Sequence, residues 1–197
     1  MSLYFHRRKF LGIAGVVTAL AFGPAALAGR GRYNMKRDWI LINSLGGLED
    51  PNHPSSPNPG DEPPTASPRV IADIRAAGVS AINQTIGHVF GAGEPFEQTV
   101  RAIAQWDALI RSTPLLVKIW TADDIRRARA QGRIGIIFGF QNAVMLGQDA
   151  SRVDLFADFG VRVIQLTYND DNPLGGGSMS PRNAGLTAFG HEAVERL

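Results

Sequence analysis

Residues 134–172 read IGIIFGFQNAVMLGQDASRVDLFADFGVRVIQLTYNDDN, and this stretch decides the fold. Two apolar, β-branched runs, IGIIFGF (134–140) and VRVIQLT (161–167), each stop abruptly at polar residues. Gln141 and Asn142 follow the first run, and Tyr168 and Asn169 follow the second. A short amphipathic helix is predicted between them. Ser151 and Asp154 mark its start, Val153, Phe156 and Phe159 its apolar side, and Gly160 its end. An antiparallel pair needs only a turn, whereas a parallel pair needs a crossover of this length, so the segment is a βαβ unit. Polar residues at the carboxyl ends of parallel strands face the ligand side of such folds. Gln141, Asn142, Tyr168 and Asn169 are therefore the candidate substrate-binding group. Two readings of them stand side by side: hydrogen bonding to a peptide-like ligand, or mutual satisfaction of strand-end amides and backbone.

Outward from this unit the pattern repeats. Residues 39–45 (WILINSL) are predicted as a buried strand and 79–86 (VSAINQTI) as a second, with 115–120 a short extended piece. Ser67-Pro68 opens a helix that Gly78 ends, because Ser caps the first turn and Pro fits the first helical position. Residues 95–112 form a helix with Phe96, Val100, Ile103 and Ile110 on one face. Thr121 and Asp124 make a capping box for a helix ending at Gln131. Thr187 begins a last helix that runs to the end of the chain. Residues 50–67 carry six prolines and are neither helix nor central strand: either a surface loop or a cover over a site mouth. Strand–helix alternation with apolar strands predicts an α/β fold with a parallel sheet. The expectation is a (β/α)8 TIM-barrel type with about the first half present, since a full barrel takes about 250 residues against 197 here. The alternative, a doubly wound nucleotide-binding sheet, wants a glycine-rich turn running straight into a helix, and Ser44-Leu45-Gly46-Gly47 lacks one.

Composition narrows the chemistry. There is no cysteine, which excludes disulfide frameworks, thiolate metal sites and cysteine nucleophiles. Residues 1–28 combine Arg7-Arg8-Lys9, an apolar Gly- and Ala-rich run and Ala26-Leu27-Ala28, the pattern of a cleaved twin-arginine signal peptide and periplasmic export. That leader holds three of the 20 basic residues and no acid, leaving 17 against 18 acidic residues in the rest, a net of −1. No basic stripe with interleaved aromatics remains, so no nucleic-acid partner is expected. His53, His88 and His191 are isolated, and no His-x-His, His-x-Asp or His-Glu-x-x-His spacing occurs.

From about residue 39 onward the chain resembles the membrane (renal-type) dipeptidase family of zinc metallopeptidases. The resemblance is carried by GRIGIIFGFQNA (132–143), DASRVDLFADFGVRVIQLTYNDDN (149–172) and GLTAFGHEAV (185–194). It implies a metallo-dipeptidase-like barrel domain over 29–197, dipeptide or small-amide substrates, a zinc cofactor and hydrolysis by a metal-activated water. It also implies where zinc ligands belong. The family's first strand ends in Asp-x-His-x-Asp, which falls on Asn43 to Gly47, so that Leu45 stands for the histidine and Gly47 for the second aspartate. Gln141 stands for the bridging glutamate, and Tyr168 for a substrate-contacting histidine. The expectation is thus a dipeptidase-like protein with no metal ligand and no catalytic residue in this chain, inactive by itself. The alternatives are a non-catalytic amide-binding barrel or a truncated fragment, and open sheet edges suggest homodimerisation.

Overall fold

The sheet is organised around β4 (Ile134–Phe140). The computed structural model describes residues 39–50, 52, 63–182 and 184–197. The expected leader at 1–28 and most of the Pro-rich segment, including His53, lie outside these residues. β2 (Val79–Thr85) runs parallel along one edge of β4, from Ala81 opposite Gly135 to Thr85 opposite Gly139. The other edge is shared by two short strands. β3 (Leu116–Lys118) pairs with its first half and β5 (Val161–Ile164) with its second. The backbone bonds alternate accordingly: Ile134 N donates to Leu115 O and Phe140 O accepts from Gln165 N on the shared edge, while Gly139 O accepts from Ile86 N on the β2 edge. β1 (Leu41–Gly46) adds to the outside of β2, and all pairings are parallel.

Among the described residues five α-helices connect and cover the strands: α1 (Pro68–Ala76), α2 (Pro95–Ser112), α3 (Ala122–Ala130), α4 (Arg152–Asp158) and α5 (Ala188–Glu195). Three of their starts are capped where the sequence places them, Thr187 capping α5 by accepting from Gly190 N at 2.9 Å. Ser67 Oγ accepts from Val70 N at 3.2 Å, and Thr121 with Asp124 closes a full capping box. At α4 the cap differs. Ser151 makes no side-chain cap; Asp149 accepts from both Ser151 N and Oγ instead, fixing the preceding turn. The last helix closes at Glu195, two residues short of the expected end.

Chain direction dictates which face each helix covers. α2 leads from β2 past β4 to β3, and α3 leads back from β3 to β4. Crossovers between parallel strands are right-handed, so connections moving in opposite directions lie on opposite faces. The core follows this rule. Ile82, Ile86, Ile134, Ile136, Phe138 and Phe140 pack with Ile71 of α1, Ile103 and Trp106 of α2, and Val153 and Phe156 of α4. Ala81, Ile119 and Ile137, on the opposite face, pack with Ile125 and Ala128 of α3. Gly135 permits that close approach: a Cβ there would stand 2.7 Å from Ile119 Cδ1. α3 covers only the start of its face. Further along, the same face carries Asn83, Thr85 and Gly139, and opens toward the carboxyl ends of the strands.

Three differences from the sequence reading have physical causes. The strand at 39–45 is not buried: Leu41, Ile42 and Leu45 are exposed, because β1 is an edge strand on which no helix layer lies among the described residues. The extended piece at 115–120 is a true sheet member, occupying the half-edge of β4 that β5 leaves unpaired. The last predicted strand stops at Ile164 rather than 167: Gln165 N still donates to Phe140 O, but the Leu166 carbonyl is taken by Ala143 N and the Asn172 side chain, and the ladder ends there.

Candidate ligand-binding site at the strand ends

Parallel strands bring their carboxyl ends to one side. Leu45–Gly47 at the end of β1, Thr85–Phe90 at the end of β2, Gln141-Asn142 after β4 and Tyr168-Asn169 after β5 therefore share one end of the sheet. Gln141 continues the alternation of Ile137 and Gly139, which puts it on the α3 side, beyond the reach of α3. Thr85 Oγ1 donates to its Oε1 at 3.4 Å. Its Nε2 has no hydrogen-bond partner among the described residues and the side chain is half-buried. Beside it, Asn83 donates through Nδ2 to Ser44 O at 2.8 Å, tying β2 to β1. Its buried Oδ1 lies over Gly139, where any side chain would collide, and finds no donor among the described residues.

Asn142 does something else. Its Nδ2 donates to Val89 O at 2.8 Å, and its Oδ1 accepts from Val144 N at 3.1 Å and from Asn172 Nδ2 at 2.9 Å. Asn172 Nδ2 also donates to Leu166 O at 2.8 Å. One amide thus ties together the loops that follow β2, β4 and β5. Tyr168 emerges beside this brace with its ring stacked on Phe90, centroids 6.3 Å apart and planes 16° from parallel. Asn169 is exposed. Its Oδ1 accepts from Ser178 Oγ and its carbonyl from Met179 N, so it closes its own loop. In the same loop the hydroxyl of Ser180 and the N–H of Gly177 hold the Asp171 carboxyl below the usual carboxylate range. The structure therefore ties Asn142 to the loops of Phe90 and Tyr168, sets Gln141 against Thr85 at the same strand end, and leaves Asn169 exposed in its own loop.

His88 is buried and engaged. Its backbone N donates to Thr99 Oγ1, and its Nδ1 lies 2.6 Å from Gln98 Oε1, so Nδ1 carries the proton. His191 is exposed on α5. Among the described residues no three histidines or acids come together in a way that holds a metal. Leu45 is 57% exposed at the end of β1. Gly47 brings no side chain; the Glu49 carboxylate folds back into the space a side chain at 47 would fill. A leucine, a glycine and a neutral amide offer zinc neither imidazole nor charge, and one flexible carboxylate does not replace them. This corner does not fit a zinc pair.

Sequence reading missed Thr85, Asn83 and Phe90. Thr85 and Asn83 were legible in principle, since strand alternation at the end of VSAINQT places polar residues on one face. Phe90 was not, because it lies in a loop whose path depends on Asn142 and Gln98.

The model of the family described as membrane dipeptidase (peptidase family M19) matches residues 69–197. Among solved structures, an amidohydrolase from Pseudomonas aeruginosa superposes with a TM-score of 0.67 at 30% identity, over 81% of this chain and 43% of its own. The probable dipeptidase PvdM from Pseudomonas aeruginosa gives a TM-score of 0.58 at 22% identity, over 81% of this chain and 44% of its own. Dipeptidase AC, a metallopeptidase of family M19, gives 0.57 at 15% identity, over 79% and 52%. The last two likenesses show the fold alone. The chain spans about half, or less, of each solved structure.

Proposed function

Because the chain belongs to the membrane dipeptidase family, peptidase family M19, we propose that its protein acts on dipeptides or related small amides at the carboxyl ends of the barrel strands. This part of the barrel supplies amide recognition. The observation that carries the reading is Gln141, whose Oε1 accepts from Thr85 Oγ1 while its Nε2 has no partner among the described residues, on the part of the α3 side that α3 leaves uncovered. A neutral carboxamide in that position donates to a ligand carbonyl and repels neither end of a peptide. Asn142 and Asn172 hold the flanking loops so that the corner is formed before a ligand arrives. The reaction class of the family is hydrolysis of an amide bond. Leu45, Gly47 and Gln141 hold no metal for it, so any metal the protein uses is held by other residues.

The substitutions at those three positions favour a second reading, in which the barrel binds small amides without cleaving them. One set of measurements separates the two. Incubating the full chain with a dipeptide panel tests cleavage, and NMR titration with the same peptides tests binding at Gln141. Gln141→Ala is expected to weaken binding about fivefold, the worth of one neutral hydrogen bond of about 1 kcal/mol. Gln141→Glu is expected to bring no stoichiometric zinc by dialysis, since Leu45 and Gly47 remain non-ligands. Peptides that leave the Gln141 signals unmoved would sink both readings.

A further inference from the structure

The corner just described carries an aromatic pair that nothing in the amide-recognition reading uses. Phe90 is 55% exposed, yet its backbone is not loose. The preceding carbonyl, Val89 O, accepts from Asn142, and His88 is fastened to Thr99 and Gln98. Val89 and Ile86 beneath it are buried. Gln98 Nε2 further donates to Ala92 O at 3.3 Å, fastening the residues after Phe90. A large apolar ring is thus held out at the strand ends by a braced loop. Its neighbour across the corner is Tyr168, near parallel at 6.3 Å. Tyr168 is held in turn: Ser178 N donates to its carbonyl at 2.7 Å, and Asn172 fastens Leu166 two residues before it.

The side chains that brace the pair, Asn142 and Asn172, are neutral amides, and the Asp171 carboxylate in the loop after Tyr168 is turned to the N–H of Gly177. Asp170 is exposed on the same loop and faces solvent. Burying an exposed ring against another flat or bulky apolar group removes it from water, and aromatic pairs add attraction beyond area. Asn142, next to Gln141 in the sequence, bonds to both loops and so ties the aromatic pair to the strand end that carries the Gln141 amide.

We propose that Phe90 and Tyr168 form a specificity wall beside Gln141 that selects small amides carrying an aromatic or large apolar side chain. The proposal rests on amide recognition at Gln141. Phe90 is the specificity-determining residue, and the ligand class is a neutral amide with one such side chain next to the recognised carbonyl.

The test is an NMR titration of the full chain with N-acetylphenylalaninamide, N-acetylleucinamide and N-acetylglycinamide, repeated for Phe90→Ala and Phe90→Leu. The phenylalanine amide is expected to bind about three- to tenfold more tightly than the glycine amide, the range of one aromatic contact. Phe90→Ala brings that ratio close to one, and Phe90→Leu keeps part of it. Phe90 is exposed, so neither change removes core packing. Equal affinities for the phenylalanine and glycine amides in the unaltered chain would overturn the wall and leave amide recognition standing. A ratio unchanged by Phe90→Ala would overturn it as well. Binding of none of the three would overturn amide recognition and the wall together.

Discussion

At the scale of single residues, Asn142 and Gln141 stand next to each other and have opposite characters. Asn142 has every polar atom of its amide engaged inside the chain, and Gln141 keeps a donor free. Asn142→Ala leaves Val89 O, Val144 N and one Asn172 N–H without partners, in a half-buried place. The expected cost is about 2–3 kcal/mol, from the desolvation of groups left unpaired, read as a lowered denaturant midpoint. The same change should free Phe90 from Tyr168, visible as loss of ring contacts in NMR. A glance at the sequence makes the two amides look equivalent. What separates them is tertiary: Val89 and Asn172 lie 53 and 30 residues away, and no local pattern announces either contact.

Elements were more legible than side-chain roles, because caps and glycines act within a few residues. The Thr121–Asp124 capping box is visible in the sequence and present in the structure. Asp124 is subject to some desolvation, which raises its pKa. Hydrogen bonds from Arg127, from the Thr121 side chain and backbone, and from Trp120 N outweigh this and lower it to about 2 from 3.8. A depressed folded-state pKa means stability that is present above the unfolded value and lost as pH falls through the folded one. The start of α3 should therefore weaken between about pH 4 and pH 2, the window set by those two values. Asp124→Ala should remove that dependence and cost about 1 kcal/mol, typical of a lost helix cap; acid titration of both proteins followed by circular dichroism reads the difference. The face α3 covers was not legible. It follows from the order of β3 and β4 in the sheet, and nothing in the short run LVK states that it shares an edge with a strand not yet reached.

At the scale of the molecule, the parallel α/β architecture followed from alternation alone, while the exposure of β1 did not. A run such as WILINSL is apolar whether it lies at the centre or the edge of a sheet. Among the described residues β1 pairs only with β2, and Leu41, Ile42 and Leu45 are exposed. Apolar strand edges template association with another strand. The chain is expected to self-associate with rising concentration in sedimentation experiments, and Ile42→Lys to reduce that association several-fold; a monomer at all concentrations would count against it. The shared edge of β4 has a separate consequence for how this protein changes over generations. Three strands read the register of β4 at once, and a slip of one residue would turn Gln141 from the α3 side to the face that α1, α2 and α4 cover. A one-residue insertion or deletion in that strand would therefore misplace three neighbours along with Gln141, whereas a substitution at its tip changes the chemistry of the site and leaves the sheet in register.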